Sequence, residues 1–193
     1  MIRAAEPQRR VTGVVLAGGR GQRMDGRDKG LLLREGRTLA ERQLEALRPQ
    51  VDALMISANR NLDHYASFGA EVVHDAQPGF AGPLAGIAAA ARQARSTWIA
   101  CVPCDTLALP ADLVARLLGA AQDADRDAAY AQDVDGPQYV VCALRTTLAG
   151  ALAQAAASPR RAVRDFLHAR GAVAVAFAGW RCANLNTPEA LAC

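Results

Sequence analysis

The sequence predicts an α/β fold of three layers (αβα), with helices on both faces of a mostly parallel sheet. Three observations carry this. Short apolar runs that read as strands recur along the 193 residues, most of them followed by a segment of helical character. Those runs are continuously apolar rather than alternating, as expected of parallel strands covered on both faces. Several end in glycine or polar residues, and in open sheets of this class ligands bind beyond the carboxyl ends of the strands.

The first strand, residues 11–17, is rich in β-branched side chains (Val11, Thr12, Val14, Val15) and breaks into Gly18, Gly19 and Gly21. Without Cβ atoms, glycines let successive backbone N–H groups point into one concavity that can hold phosphate oxygens. Arg20, Arg23, Arg27 and Lys29 follow closely, and each can neutralise a polyphosphate. The stretch is neither a Walker loop, since Gly26 precedes Arg27 and Asp28, nor a dinucleotide fingerprint, since Met24 stands where the third glycine belongs. The alternative is a glycine-rich turn with solvated charges.

Residues 31–33 read as a short extended piece before a turn. Thr38 then caps a helix to about Arg48, which places Leu39, Leu44 and Leu47 near one face and ends at Pro49. Strand 53–58 delivers Asn59, Arg60 and Asn61, and strand 70–74 delivers Asp75. Gly82 and Pro83 open an alanine-rich helix to about residue 94. Strand 97–103 is apolar enough to be central and ends in Cys104, Asp105 and Thr106. Pro110 and Asp112 begin the next helix, to about residue 121. Strands 128–131 and 138–144 flank an Asp135-Gly136-Pro137 turn, an antiparallel excursion. Helices 147–157 and 160–170, strand 172–177 and a short helix opening at Thr187-Pro188-Glu189 complete the chain. No internal repeat or dividing linker is visible, so residues 11–193 read as a single domain after a flexible stretch at 1–10.

Composition excludes several function classes. Apolar residues make up 51% and charged residues 21%, ordinary values for a globular chain. The net charge of +3 is spread along the sequence, which argues against nucleic-acid binding. The first ten residues have no apolar core of a secretion signal, and no run approaches the roughly 18 residues of a membrane span. The expected location is the cytoplasm. Cys101 and Cys104 have the spacing of a redox or zinc motif, but Cys142, Cys182 and Cys193 are isolated and no helix opens after Cys104. Buried thiols are the expectation.

A carboxylate just past a central strand suits Mg²⁺, which takes one or two carboxylates together with phosphate oxygens, and Asp105 is placed for that. Its alternative is a helix-capping role, although Asp112 stands nearer the next helix. Asn59 and Asp75 alone would read as turn formers. Arg160, Arg161 and Arg164 read as a solvated basic face, or else as a second phosphate contact.

Taken together, these motifs resemble a known family. Leu16-Ala17-Gly18-Gly19, Arg23-Met24 and Asp28-Lys29-Gly30 are similar to the signature loop of the nucleotidyltransferases that handle molybdenum cofactor, and two glycines rather than Ala-Gly favour the guanylyltransferase branch. Ala58-Asn59-Arg60, Val72-Val73-His74-Asp75, Gly82-Pro83-Leu84-Ala85-Gly86, Pro103-Cys104-Asp105-Thr106 and Asn184-Leu185-Asn186-Thr187-Pro188-Glu189 come in the family's order, and only Leu107 departs from the metal motif.

The resemblance implies a Rossmann-like nucleotidyltransferase fold and transfer of GMP from GTP to the terminal phosphate of molybdopterin (molybdenum cofactor), releasing pyrophosphate. It implies that Leu16, Ala17, Gly18, Gly19, Lys29, Asn59, Asp75, Gly82 and Asp105 bind GTP, that Arg23, Lys29 and Asp105 act in catalysis, and that Asp105 holds Mg²⁺. Asn184, Asn186, Arg160 and Arg161 would face the pterin or metal. The implied protein partners are molybdenum-insertion proteins and apo-molybdoenzymes or their chaperones. The cytidylyltransferase sibling, a sugar-1-phosphate nucleotidyltransferase and a non-catalytic nucleotide-binding module that delivers cofactor are the competing readings.

Overall fold

A computed structural model of the chain describes residues 11–19, 27–75, 82–159 and 162–182. Among these residues, seven strands form one sheet. They are β1 (Val11–Leu16), β4 (Ala53–Ser57), β5 (Glu71–Val73), β6 (Trp98–Pro103), β7 (Ala128–Asp133), β8 (Gly136–Arg145) and β9 (Val173–Ala176), in the order β5-β4-β1-β6-β8-β7-β9. The run expected to be central, β6, occupies the middle. Pairing is parallel from β5 to β6 and between β7 and β9, whereas β8 runs antiparallel to both its neighbours. A separate ribbon of β2 (Leu33–Arg34) and β3 (Arg37–Thr38) forms the extended piece and turn after the glycine loop.

Successive strand residues point to opposite faces, and the continuous apolar runs supply both. Val15, Ile56, Ala100 and Val102 pack on one side against α1 (Leu39–Leu47), α2 (Leu62–Ala66) and α4 (Leu113–Asp123). Val14, Met55, Ile99 and Cys101 pack on the other against α3 (Pro83–Gln93), α5 (Ala149–Ala157) and α6 (Val163–Ala169). This is the three-layer arrangement read from the sequence. No helix among the described residues is long and apolar enough to cross a membrane.

Local chemistry explains most boundaries. Thr38 and Glu41 form a capping box: Glu41 N–H donates to Thr38 Oγ1, and Thr38 N–H donates to the Glu41 carboxylate. Two expectations need correction, and one helix has no signal in the sequence. Asp112 precedes α4 without a side-chain cap; the amide of Val114 instead donates to Gln50 Oε1 at 3.1 Å. The five-residue α2 is too short for a periodicity to announce it. The helix expected over 160–170 begins only at Val163, because Ala162 before it is extended (φ −85°, ψ 133°), and the helix expected at Thr187 lies outside the described residues.

Candidate active site

Parallel register sets four residues in a row across the carboxyl edge of the sheet: Val73, Ser57, Leu16 and Pro103. The backbone continues this order one step further, with Ala17 N–H on Ser57 O, Ala58 N–H on Val73 O and Cys104 N–H on Leu16 O. The segments leaving these strands therefore converge. A cavity of about 300 Å³ opens there, lined by Leu16, Ala17, Gly18 and Gly19 from the first strand, Asn59 and Asp75 from the next two, and Cys104 and Asp105 from β6. Lys29 and the start of α3, at Gly82, close it.

Of the residues expected to bind nucleotide, metal or phosphate, these are brought together: Leu16, Ala17, Gly18, Gly19, Lys29, Asn59, Asp75, Gly82 and Asp105 all line one cavity. Arg23, Arg160, Arg161, Asn184 and Asn186 lie outside the described residues. Ser57, Pro83, Gly86, Pro103, Cys104 and Val140 also line the cavity without having been assigned a role from sequence. Gly86 sits within the quoted glycine-proline stretch, one helical turn after Pro83, a spacing that could have placed it on the same face. Val140 has no comparable signal.

Val140 reaches the cavity through an irregularity. Tyr130 of β7 pairs with Cys142, but the next residue, Ala131, pairs with Gln138, leaving residues 139–141 bulged out of the ladder. Such bulges re-aim side chains near sites. Here Tyr139 and Val140, neighbours that would ordinarily face opposite ways, both pack toward the α3 side, with Tyr139 against Tyr130 and His168.

Two polar pairs furnish the cavity. Lys29 Nζ donates to Asp105 Oδ2, with both side chains four-fifths buried or more. Asn59 and Asp75 exchange two hydrogen bonds of 2.9 Å: Asn59 Nδ2 donates to Asp75 Oδ2, and the Asp75 amide donates to Asn59 Oδ1. Burial raises the Asp75 carboxyl above its ordinary value, opposed by the Asn59 hydrogen bond. A Cβ at Gly18 would stand 3.1 Å from Asn59 Nδ2, so glycine keeps this side chain's surroundings open.

The helix entering at Gly82 adds a third element. Gly82 has φ 88°, a conformation L side chains resist, and Pro83 starts the eleven-residue α3. Its first-turn N–H groups and the helix dipole favour an anion at that end. Gly86 lies against Ser57, and a Cβ there would collide with Ser57 Oγ. Cys104 is buried beside Asp105, and burial pushes its thiol up to about 12, so it is no nucleophile near neutral pH.

The loop after Asp105 is fixed from several sides. Gln43 Nε2 donates to the Thr106 carbonyl, and Trp180 Nε1 donates to the Ala108 carbonyl at 2.7 Å. Thr106 Oγ1 lies 3.8 Å from Cys182 Sγ. Cys182 is tied in turn to the β7–β8 turn, because its amide donates to Asp133 Oδ2 at 2.7 Å. Asp133 also accepts from the amides of Asp135 and Gly136. Burial alone would raise this carboxyl, but those amides and the Gln138 side chain together hold it below its ordinary value.

The cavity thus offers a cation, a carboxylate fit for a hard metal ion, an amide–carboxylate pair and a helix amino terminus. No cluster of three or more metal-ligating side chains occurs among the described residues.

Residues 13–174 match the family described as MobA-like NTP transferase domain. A molybdenum cofactor guanylyltransferase of Burkholderia ambifaria is 48% identical over 183 residues, covering 90% of this chain and 89% of that protein. Among solved structures, molybdopterin-guanine dinucleotide biosynthesis protein A from Archaeoglobus fulgidus superposes with a TM-score of 0.73 at 22% identity, covering 94% of this chain and 95% of that one. A manganese complex from Mycobacterium tuberculosis superposes with a TM-score of 0.70 at 20% identity, covering 94% and 95%.

Proposed function

The chain belongs to the MobA-like NTP transferase family, and from that premise we propose that it is a molybdenum cofactor guanylyltransferase, transferring GMP from GTP to the terminal phosphate of molybdopterin and releasing pyrophosphate. The observation that carries the site assignment is the convergence of Lys29, Asp105 and the Asn59–Asp75 pair on one cavity at the carboxyl ends of β1, β4, β5 and β6.

The attacking group is a phosphate oxygen, already an anion near neutral pH, so the protein needs no nucleophile or general base of its own. Its task is to align that oxygen with the α-phosphorus and to offset the repulsion between anions. Lys29 supplies a fixed positive charge for the triphosphate, assisted by the amino end of α3. Leu16 to Gly19 and Asn59 hold the nucleoside, and Asp75 fixes the orientation of Asn59. Asp105 is the residue that would hold Mg²⁺. When bound, the ion neutralises phosphate oxygens and stabilises charge on the leaving pyrophosphate. Arg23 is assigned to the phosphates, and Asn184, Asn186, Arg160 and Arg161 to the pterin side. The location of Cys182 beside Thr106 supports the assignment of the two asparagines, since the chain passes next to Asp105 shortly before them. The free thiols of Cys101, Cys104, Cys142 and Cys182 suit a cytoplasmic setting. Apo-molybdoenzymes or their chaperones, together with molybdenum-insertion proteins, are the partners this product calls for.

The test is pyrophosphate release by the purified protein with Mg²⁺ and each of the four nucleoside triphosphates, with and without molybdopterin. Release with GTP alone, and only with the pterin, is expected. Release with CTP would transfer the protein to the sibling activity, and pterin-independent release with a sugar phosphate would refute the acceptor.

A further inference from the structure

Asp28 immediately precedes Lys29 but does not line the cavity. Its side chain is only 5% exposed, and it joins two segments distant in sequence. From the connection after β4 and the helix α2 it receives hydrogen bonds from Tyr65 Oη at 2.7 Å and Asn61 Nδ2 at 2.8 Å, and it forms an ion pair with Arg60, whose Nε lies 3.4 Å away. From its own segment the Gly30 amide donates at 3.3 Å. Arg60 Nη2 adds a second link, donating to the Arg27 carbonyl at 2.7 Å.

A carboxylate withdrawn from water is costly unless both oxygens find donors. Here Oδ1 accepts from Tyr65 and Gly30, while Oδ2 accepts from Asn61 and faces the Arg60 guanidinium as an ion pair. The surroundings leave little slack. Tyr65 is fully buried, and a Cβ at Gly30 would collide with Tyr65 Oη. Two cavity-lining residues hang on this junction: Lys29 is the next residue after Asp28, and Asn59 directly precedes Arg60.

We infer that Asp28 is a positioning residue for the transfer reaction: by clamping segment 27–30 to segment 59–61 it holds Lys29 and Asn59 at a fixed separation across the cavity. The inference rests on the proposed roles of Lys29 and Asn59. A lysine side chain is long and flexible, so the precision of its charge depends on where its backbone is anchored, and displacement of a catalytic group by about 1 Å can cost about 10²-fold in rate.

The test compares Asp28→Asn, Tyr65→Phe, the reciprocal pair Asp28→Asn/Asn61→Asp, and Lys29→Ala, reading kcat and KM for GTP beside the thermal midpoint. Asp28→Asn turns an acceptor into a donor facing Asn61 and Arg60, and kcat is expected to fall by about 10- to 10²-fold with a much smaller change in KM. The reciprocal pair restores donor to acceptor, and Asn61, at φ 52°, is a position where Asp is tolerated. It is expected to recover most of kcat, which a generally weakened fold would not do. Tyr65→Phe removes only one of the donors to this carboxylate, and a smaller fall in kcat with a modest drop in midpoint is expected. If Asp28→Asn fails to fold, that fall decides in favour of the inference, and a wild-type kcat in Tyr65→Phe decides against it. If Lys29→Ala is inactive while Asp28→Asn turns over at the wild-type rate, or the reciprocal pair recovers nothing, the positioning role is overturned and the site assignment stands. A fully active Lys29→Ala would instead remove the site assignment itself.

Discussion

Lys29 and Asp105, one on the segment after the glycine loop and the other just past the central strand, meet as an ion pair within the cavity. The cation that would bind phosphate and the carboxylate that would bind metal therefore satisfy each other in the free protein. In the proposed roles, each would be released to its own ligand when nucleotide and metal enter.

Residues that act as such a unit should give strongly non-additive losses. Lys29→Ala and Asp105→Ala are each expected to lower turnover by about 10²–10³. The double variant should be little worse than the poorer single one, measured as pyrophosphate release with GTP and molybdopterin. Losses that multiply would mean the two side chains act independently.

Gly86 and Ser57 define how closely α3 approaches the sheet. Gly86→Ala drives a methyl group into Ser57 Oγ, and the expected cost is about 1–3 kcal/mol of stability, typical of overpacking, with weaker GTP binding because both residues line the cavity. Adding Ser57→Ala removes the colliding oxygen and should recover most of both. Urea denaturation and GTP titration of the single and double variants check this.

The carboxylate of Asp133 is held below its ordinary value, so it contributes stability above the ordinary carboxylate range that is lost as pH falls through its native value. Asp133→Asn is expected to be less stable than the parent at neutral pH by about 1.5–3 kcal/mol, the usual range for hydrogen bonds to a charged group. The gap should close in acid, where both side chains are neutral. Thermal melts of the two proteins from neutral to acid pH give the comparison.

Cys101, Cys104, Cys142 and Cys182 are buried. The thiol of Cys101 is held well above its ordinary value by a hydrogen bond with Cys142 and by burial, and burial brings those of Cys104 and Cys182 to about 12 and about 11. All three should resist alkylation in the native protein near pH 8 and react on unfolding. Peptide mapping after brief iodoacetamide treatment reads this directly. Rapid native labelling of Cys104 would contradict its burial.

The sheet was legible because its strands are local, continuously apolar runs, and a run such as 97–103 needs both faces covered wherever it lies. The cavity was legible to the extent that its residues follow those strands: Gly18, Asn59, Asp75 and Asp105 must share an edge once the strands are parallel. Ser57 belongs to a strand like any other until the register is known. Val140 enters the cavity through a bulge whose only cause is an uneven pairing of β7 with β8. Asp28 shows the same limit, since its partners Asn61 and Tyr65 are 33 and 37 residues away. Hydrophobic period and turn chemistry act over a few residues, and they carry no trace of contacts closed by the tertiary fold.

The order of the strands has a consequence for how the chain is assembled as it leaves the ribosome. The parallel half of the sheet, β5-β4-β1-β6, is complete by Pro103, so it can pair while later residues are still being synthesised. The next strand made, β7, finds no place beside it, because β8 takes the position against β6. They pair antiparallel across a short turn, so they can close on each other as a hairpin, an event of about 1–10 μs, before docking as a preformed ribbon. Until it arrives, the free edge of β6, with Asp105 just beyond its end, stays open on the nascent chain, and the cavity gains its Val140 wall only at docking.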